Sequence, residues 1–220
     1  MVASDNLRPS YPGWHRDAVI GSESWSHGKE QLELLKDEGL LPSHKFLDLG
    51  CGTFRLGLHV IPYLHHGNYY GIDIDQGMID LGVEKELEPA GLMEYDPTLY
   101  DNGDFNFGYF ETAFDFIFAY SVYTHLQPPA MEACFQAVAD YLTGDGKFLF
   151  SFNESTPAVA ESCGVPHPWR AEHIMCIYSY ERLCASAEKA GLKLERADSL
   201  GLATYNATPH YQRILRATHV

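Results

Sequence analysis

The stretch Phe46-Leu47-Asp48-Leu49-Gly50-Cys51-Gly52-Thr53 decides the fold. A short apolar run from Lys45 to Leu49 contains one acid, and a Gly-x-Gly turn then leads into a helical pattern from about Thr53 to Leu64. Strand, tight glycine turn and helix is how a parallel α/β sheet offers backbone N–H groups and a helix N-terminus to a ligand. Upstream, a helical pattern spans about Glu23 to Glu38, with Trp25, Leu32 and Leu35 near one face. Gly39 suits its C-terminal stop, and Pro42 forbids continuation. Ahead of that helix, residues 1–22 read as an irregular arm holding Tyr11, Trp14 and His15 and ending at Gly21-Ser22.

Downstream the alternation of strand and helix repeats. Tyr69 to Ile74 reads as the second strand, followed by a helix that Asp75 could cap and that fades near Glu88-Pro89. A third strand is expected around Thr98 to Tyr100, before a turn at Asp101-Asn102-Gly103-Asp104. Phe114 to Tyr120 is an almost continuous apolar and aromatic run, the pattern of a central strand buried on both faces. Pro128-Pro129 opens a helix where a missing N–H costs little, Gly144 or Gly146 closes it, and Lys147 to Phe152 forms the next strand. Residues 153–177 contain Pro157, Pro166 and Pro168 and are expected to form a long functional loop. Ser179 then caps a helix ending at Gly191, and Leu192–Ala197 and Tyr211–Thr218 form an antiparallel pair. The expected fold is α/β: a doubly wound, mostly parallel seven-stranded sheet with an antiparallel C-terminal hairpin and helices on both faces. The 220 residues are expected to form a single domain, with an N-terminal arm and helix over 1–43.

Composition excludes several classes of partner. The 15 basic and 30 acidic residues give a formal charge of −15. A chain this acidic lacks the positive footprint needed for nucleic acid and repels anionic membranes. No window approaches the length of an apolar membrane span, and the polar start, broken by Pro9 and Pro12, is unlike a secretory signal. The five cysteines are scattered with no Cys-x-x-Cys pair, so reduced thiols in a cytoplasmic protein are expected rather than a disulfide framework.

A dinucleotide fold wants Gly-x-Gly-x-x-Gly, whose third glycine lets helix and strand pack closely. Here Arg55 stands at that third position, so the fingerprint fails and the motif is Asp-x-Gly-x-Gly. Asp48-Leu49-Gly50-Cys51-Gly52-Thr53 resembles the first motif of the class I S-adenosylmethionine-dependent methyltransferases. Tyr70-Gly71-Ile72-Asp73-Ile74 resembles their second element, Phe114 to Ala119 their fourth-strand motif, and Leu142 to Leu149 their turn into strand five. The likeness covers roughly residues 44–152 and implies S-adenosylmethionine as cofactor.

The resemblance implies roles for particular residues. Asp48, Gly50, Cys51 and Gly52 would form the turn around the methionyl part. Asp73 would accept the ribose hydroxyls, with Ile74 beside it. Asp104 would accept the adenine amino group and Phe105 would line the ring, with Asp101 as the rival acid. Tyr120 at the end of strand four joins the cofactor set. Asp48 either orders the turn or reaches the methionyl amine through water. Phe54 stands where the family often has a third glycine, and either closes the methionine pocket or packs beneath the loop.

Methyl transfer is an in-line displacement, so positioning matters most, and a base is needed only when the nucleophile carries a proton. Ser121-Val122-Tyr123-Thr124-His125 follows strand four, and His125 is the candidate base among the 11 histidines. Tyr123, Asn153, Trp169 and Arg170 are the candidate acceptor-binding residues; an Arg beside a Trp suits a carboxylate or phosphate. Cys163, His167, His173 and Cys176 contain zinc-type ligands but match no familiar zinc spacing, so no metal is expected. The leading reading is an enzyme that methylates a small-molecule acceptor at oxygen. The alternatives are methylation at nitrogen, a non-catalytic cofactor-binding partner subunit, or another enzyme on this fold such as an aminopropyltransferase.

Overall fold

The computed structural model describes residues 26–157, 160–167, 170–197 and 212–220. The expected N-terminal arm, Trp25 and Trp169 lie outside them. The chain divides into two compact units, Met1–Asp104 and Phe105–Val220. Nine strands form among the described residues, rather than the seven expected, and parallel pairings predominate. No helix among them is long and apolar enough to cross a membrane.

In the first unit, helix α1 (Ser26–Asp37) ends as its sequence suggests. Gly39 takes φ 98°, its N–H donates to Lys36 O at 2.9 Å, and Leu40 N–H donates to Leu35 O at 2.8 Å. This paired closure needs a left-handed residue after the last turn, which glycine adopts without a Cβ penalty. Strands β1 (Phe46–Leu49), β2 (Tyr69–Asp73) and β3 (Thr98–Asp101) pair in parallel in the order β3-β2-β1. Every β1 residue is buried. Leu49 is in register with Ile72, and Asp73 with Asp101. The C-terminal ends of these strands, with the loops after them, therefore lie together.

The helix expected directly after the glycine turn does not form there. Phe54 takes φ 65°, and only a four-residue helix, α2 (Gly57–Val60), follows. The cause is the Phe54 ring, which is fully buried under the turn. A left-handed non-glycine residue costs about 1–2 kcal/mol, whereas burying a Phe side chain returns about 1.5–3 kcal/mol. Two glycines make room for the ring. A Cβ on Gly57 would lie 2.9 Å from Phe54 Cβ, and one on Gly82 would lie 2.6 Å from Phe54 Cδ2. Gly82 closes helix α3 (Gln76–Gly82), whose N-terminus Asp75 caps by accepting from Gly77 N–H at 2.8 Å. A π-helical turn, Val83–Leu87, then carries the chain to Glu88.

In the second unit, β4 (Phe114–Ala119) pairs in parallel with β5 (Leu142–Glu154), and β5 pairs antiparallel with β9 (Gln212–His219) on its other side. Helix α4 (Pro128–Tyr141) starts at its prolines but ends before Gly144, because β5 begins at once with Leu142 opposite Phe114. Residues 153–177 are not a long loop. They carry β6 (Ser162–His167) and β7 (Arg170–Tyr178), an antiparallel pair that supplies the two additional strands, with β7 continuing the sheet from β5. Helix α5 (Tyr180–Lys189) is capped by Ser179 Oγ, which accepts from Arg182 N–H at 3.2 Å, and stops at Gly191 with φ 77°. β8 (Leu192–Arg196) pairs antiparallel with β9, giving the expected C-terminal hairpin.

Candidate functional site

The glycine turn is held from below by β2. Gly50 and Cys51 N–H groups both donate to Ile72 O, at 2.7 and 3.0 Å, and Gly52 N–H donates to Asp73 Oδ2 at 2.9 Å. These three donors are spent within the protein, which corrects the expectation that the turn offers them to a ligand. A turn without spare donors is poorly suited to phosphate, since anion sites are built from outward N–H groups. Above Gly52, at φ 53°, a Cβ would meet nothing among the described residues closer than Met78 Cε at 3.9 Å, which leaves the backbone open to a ligand on that side of them.

Two carboxylates flank the turn. Asp73 is half-buried, with Oδ1 accepting from Asp75 N–H at 3.0 Å and Oδ2 from Gly52. Each oxygen has two lone pairs, so acceptor capacity remains for hydroxyl donors. Burial raises the Asp73 pKa from its ordinary value, and the backbone hydrogen bonds oppose this. Asp48 is deeper, 4% exposed, and accepts from the Tyr69 hydroxyl at 2.7 Å. Burial pushes its pKa up to about 7, against the Tyr69 hydrogen bond. Among the described residues no ion pair forms with Asp48, so a buried acid beside the turn has no bonded cation.

An apolar platform stands next to these acids. Ile74 is 78% exposed, an unusual cost for a large aliphatic residue, and its Cγ1 lies 2.8 Å from where a Gly103 Cβ would be. Glycine at 103 thus lets the loop after β3 pack on Ile74. That loop presents exposed Asp104, whose N–H donates to Asn102 Oδ1 at 2.8 Å. Phe105, the first residue of the second unit, takes φ 59° and is half-exposed.

In the second unit, His125 follows β4 and is half-buried. Its Nδ1 lies 2.6 Å from Ile174 O on β7. A carbonyl only accepts, so Nδ1 is the donor here, and in the neutral ring Nε2 is then the basic nitrogen. The same loop is tied to β7 by Cys176 N–H donating to Thr124 O at 2.7 Å, and by the Tyr178 hydroxyl donating to Leu126 O at 2.6 Å. Tyr120 is half-buried and stacks on Phe118 with ring centroids 6.2 Å apart.

Several expected acceptor contacts are corrected. Tyr123 is 0% exposed, packed 4.3 Å from the Phe150 ring and 5.1 Å from Phe135, so it belongs to the core and cannot touch an acceptor. Asn153 is buried and spends its amide on Cys176 O at 3.1 Å, joining β5 to β7. Its neighbour Glu154 pairs with Arg196 and Arg213. Arg170 starts β7, in register with His167. Cys163 and Cys176 sit opposite each other on β6 and β7 and form a disulfide, contrary to the expected reduced thiols. That bond also withdraws two of the four ligands from the Cys-His set.

Two groups escaped the sequence reading. The sequence places Tyr69 only on a strand, although an aromatic two positions before Gly71 has a cleared face to lie across. Ser121, Ser151 and Gln212 form a ring of hydrogen bonds: Ser121 N–H donates to Ser151 Oγ at 2.7 Å, Ser151 Oγ to Gln212 Oε1 at 2.8 Å, and Gln212 Nε2 to Ser121 Oγ at 2.9 Å. Ser121 takes φ 60°, and no local sequence pattern announces that.

Residues 47–148 match the model of a family described as a methyltransferase domain. The fold is similar to an S-adenosylmethionine-dependent methyltransferase from Clostridium acetobutylicum, at 15% identity over 92% of this chain and 95% of that one, TM-score 0.69. It is similar to magnesium protoporphyrin IX methyltransferase from Synechocystis solved with S-adenosylhomocysteine, at 18% identity over 98% and 94%, TM-score 0.67. It is also similar to a glycopeptide N-methyltransferase complexed with S-adenosylmethionine, at 15% identity over 88% and 94%, TM-score 0.65. At such identities the shared property is the fold, and the site residues carry the chemistry. A buried acid with no ion-pair partner among the described residues, a strand-end carboxylate with spare acceptor capacity and an exposed aliphatic platform fit a cationic nucleoside without phosphate. Residues 47–148 thus match a methyltransferase domain, and the fold as a whole is the one seen in S-adenosylmethionine-dependent methyltransferases.

Proposed function

We propose that the protein methylates a hydroxyl group of a small-molecule acceptor, with His125 as general base and residues 1–220 acting as one methyltransferase domain. S-adenosylmethionine, when bound, supplies an electrophilic methyl group on a sulfonium. Asp73 accepts the ribose hydroxyls, Ile74 and Phe105 cover the adenine, Asp104 accepts its amino group, and Tyr120 completes the cofactor set. Asp48 faces the positive charge of the methionyl part, and Arg170 on β7 is the cation for an acidic group on the acceptor.

The observation that carries the oxygen assignment is the His125 Nδ1 contact with Ile174 O at 2.6 Å. It fixes the tautomer in which Nε2 takes a proton. A hydroxyl must lose its proton as it attacks, whereas an amine that arrives neutral attacks through its own lone pair. A base held in one tautomer by the backbone therefore favours oxygen over nitrogen. The formal charge of −15 supports a small acceptor over nucleic acid.

Labelled methyl transfer to a panel of phenols, carboxylic acids and amines tests this. His125→Gln is expected to lower turnover on the best hydroxyl acceptor by about 10²–10⁴-fold with cofactor affinity unchanged, the range a positioned base supplies. Full activity of His125→Gln, or transfer confined to amines, contradicts the assignment.

A further inference from the structure

Asp48 and Tyr69 form a buried acid–phenol pair whose geometry is over-determined. The two residues lie on adjacent parallel strands, with Phe46 opposite Tyr69 and Asp48 opposite Gly71. Side chains two apart on a strand share a face, so the Tyr69 ring must cross the Gly71 position to reach Asp48. It does so because Gly71 has no side chain: a Cβ there would lie 3.2 Å from Tyr69 Cε1 and 3.2 Å from Cys51 Sγ. The hydroxyl end is bounded in turn by Gly57, whose Cβ would lie 3.1 Å from the Tyr69 oxygen. Phe46 stacks along the ring, with centroids 6.1 Å apart. Tyr69 is only 2% exposed, and its hydroxyl reaches Asp48 Oδ2 at 2.7 Å.

We propose that Tyr69 is a positioning residue of the cofactor site, holding Asp48 as the carboxylate a cationic cofactor requires, so that binding S-adenosylmethionine expels a proton from Asp48. This rests on the assignment of Asp48 to the cofactor site. Among the described residues, each charged or titratable neighbour of the acid pushes in a known direction. Burial and the Asp73 carboxylate at the end of β2 favour the protonated form, while the Tyr69 hydrogen bond and Arg55 favour the anion. The Cys51 thiol in the turn and the Tyr69 phenol are themselves pushed well above their ordinary ranges by burial, so both remain neutral. Asp48 is thus the group of this cluster poised to exchange a proton near neutrality, at about pH 7. The balance is simple: the acid loses its proton to solvent, and the positive cofactor takes over as its counter-charge.

Calorimetric titration with S-adenosylmethionine, in phosphate and in Tris at several pH values, measures protons released per cofactor. Wild type is expected to release about half a proton at pH 7 and almost none at pH 9, with affinity falling roughly tenfold from pH 8 to pH 6 by linkage. Asp48→Asn isolates the contribution of Asp48 from that of the cofactor's own amine. Tyr69→Phe should move the pH midpoint of binding upward by about one unit, since a hydrogen bond to the charged form is lost. Its affinity should therefore fall several-fold at pH 7 and recover by pH 9. Proton release at pH 7 that is the same in wild type and in Asp48→Asn, with affinity lost in the variant, overturns the proposal. An unchanged midpoint in Tyr69→Phe overturns the role of Tyr69 alone. If Asp48→Asn keeps wild-type affinity and proton release, the assignment of Asp48 to the site has failed instead.

Discussion

Replacing Asp48 by Asn should make the cofactor-free protein more stable while weakening cofactor binding. Asp48 is buried among β1, β2 and the glycine turn, and its pKa stands at about 7 against an ordinary 3.8. The folded state therefore holds this proton more tightly than the unfolded chain does. For an acid raised in this way, the native state is penalised as pH rises from about 4 to 7, and the whole penalty is present above 7. About three pH units of displacement correspond to a ceiling of roughly 4 kcal/mol. Asparagine cannot ionise, is nearly isosteric, and keeps a carbonyl oxygen for the Tyr69 hydroxyl. Relaxation around the site lowers the expected gain to about 2–4 kcal/mol at pH 8, or a Tm rise of roughly 5–15 °C for a chain of this length. At pH 4 the two proteins should melt together. Thermal and urea unfolding of both proteins without cofactor, at pH 4, 6 and 8, measures this directly. A variant less stable than wild type at pH 8, or a difference that does not change with pH, refutes the reasoning. On the proposed role of Asp48, that stability is given up to leave a buried negative charge for the cofactor.

Other consequences follow from the same geometry. Asp73→Ala removes the proposed ribose acceptors and also the Gly52 and Asp75 hydrogen bonds, so S-adenosylmethionine affinity should fall at least tenfold, since a hydrogen bond to a charged group is worth about 1.5–3 kcal/mol. Titration calorimetry reads that loss, and unchanged affinity removes Asp73 from the site. Gly82→Ala places a Cβ 2.6 Å from the Phe54 ring and 2.7 Å from Thr53 Cα. Overpacking of about 1–3 kcal/mol should outweigh the roughly 1 kcal/mol helix gain of alanine over glycine, giving a lower Tm and weaker cofactor binding. A raised Tm would show that the ring is not confined.

The parts of the fold that the sequence made legible are those where one local rule decides. The β1 run, the continuous aromatic β4, the Gly39 and Gly191 stops and the Asp75 and Ser179 caps all fall where the residue types place them. The failures share a different origin. Phe54 adopts φ 65° because two glycines, at 57 and 82, open space for its ring, and no local window around Phe54 reaches Gly82. Prolines made residues 153–177 read as loop, yet Pro166 sits on β6, which among the described residues pairs with β7 alone. A strand with an unpaired edge tolerates the missing N–H. Tyr123 follows a strand ending at Ala119, where side-chain direction no longer alternates predictably, and it turns inward onto Phe135 and Phe150. The Cys163–Cys176 bond depends on the register of that unforeseen β6–β7 pair. Of the candidate site, the placement of Asp48 and Asp73 beside the glycine turn was legible. The Tyr69 contact was not, because it depends on Gly71 clearing a path between strands.

Ligand selectivity of the unmodified protein tests the account at its centre. Calorimetric titration at pH 8 should show S-adenosylmethionine and S-adenosylhomocysteine each binding one per chain, with NAD producing no heat. Tight binding of NAD, with no heat from S-adenosylmethionine, would contradict the reading of Asp48, the glycine turn and Asp73 as a methyl-donor site.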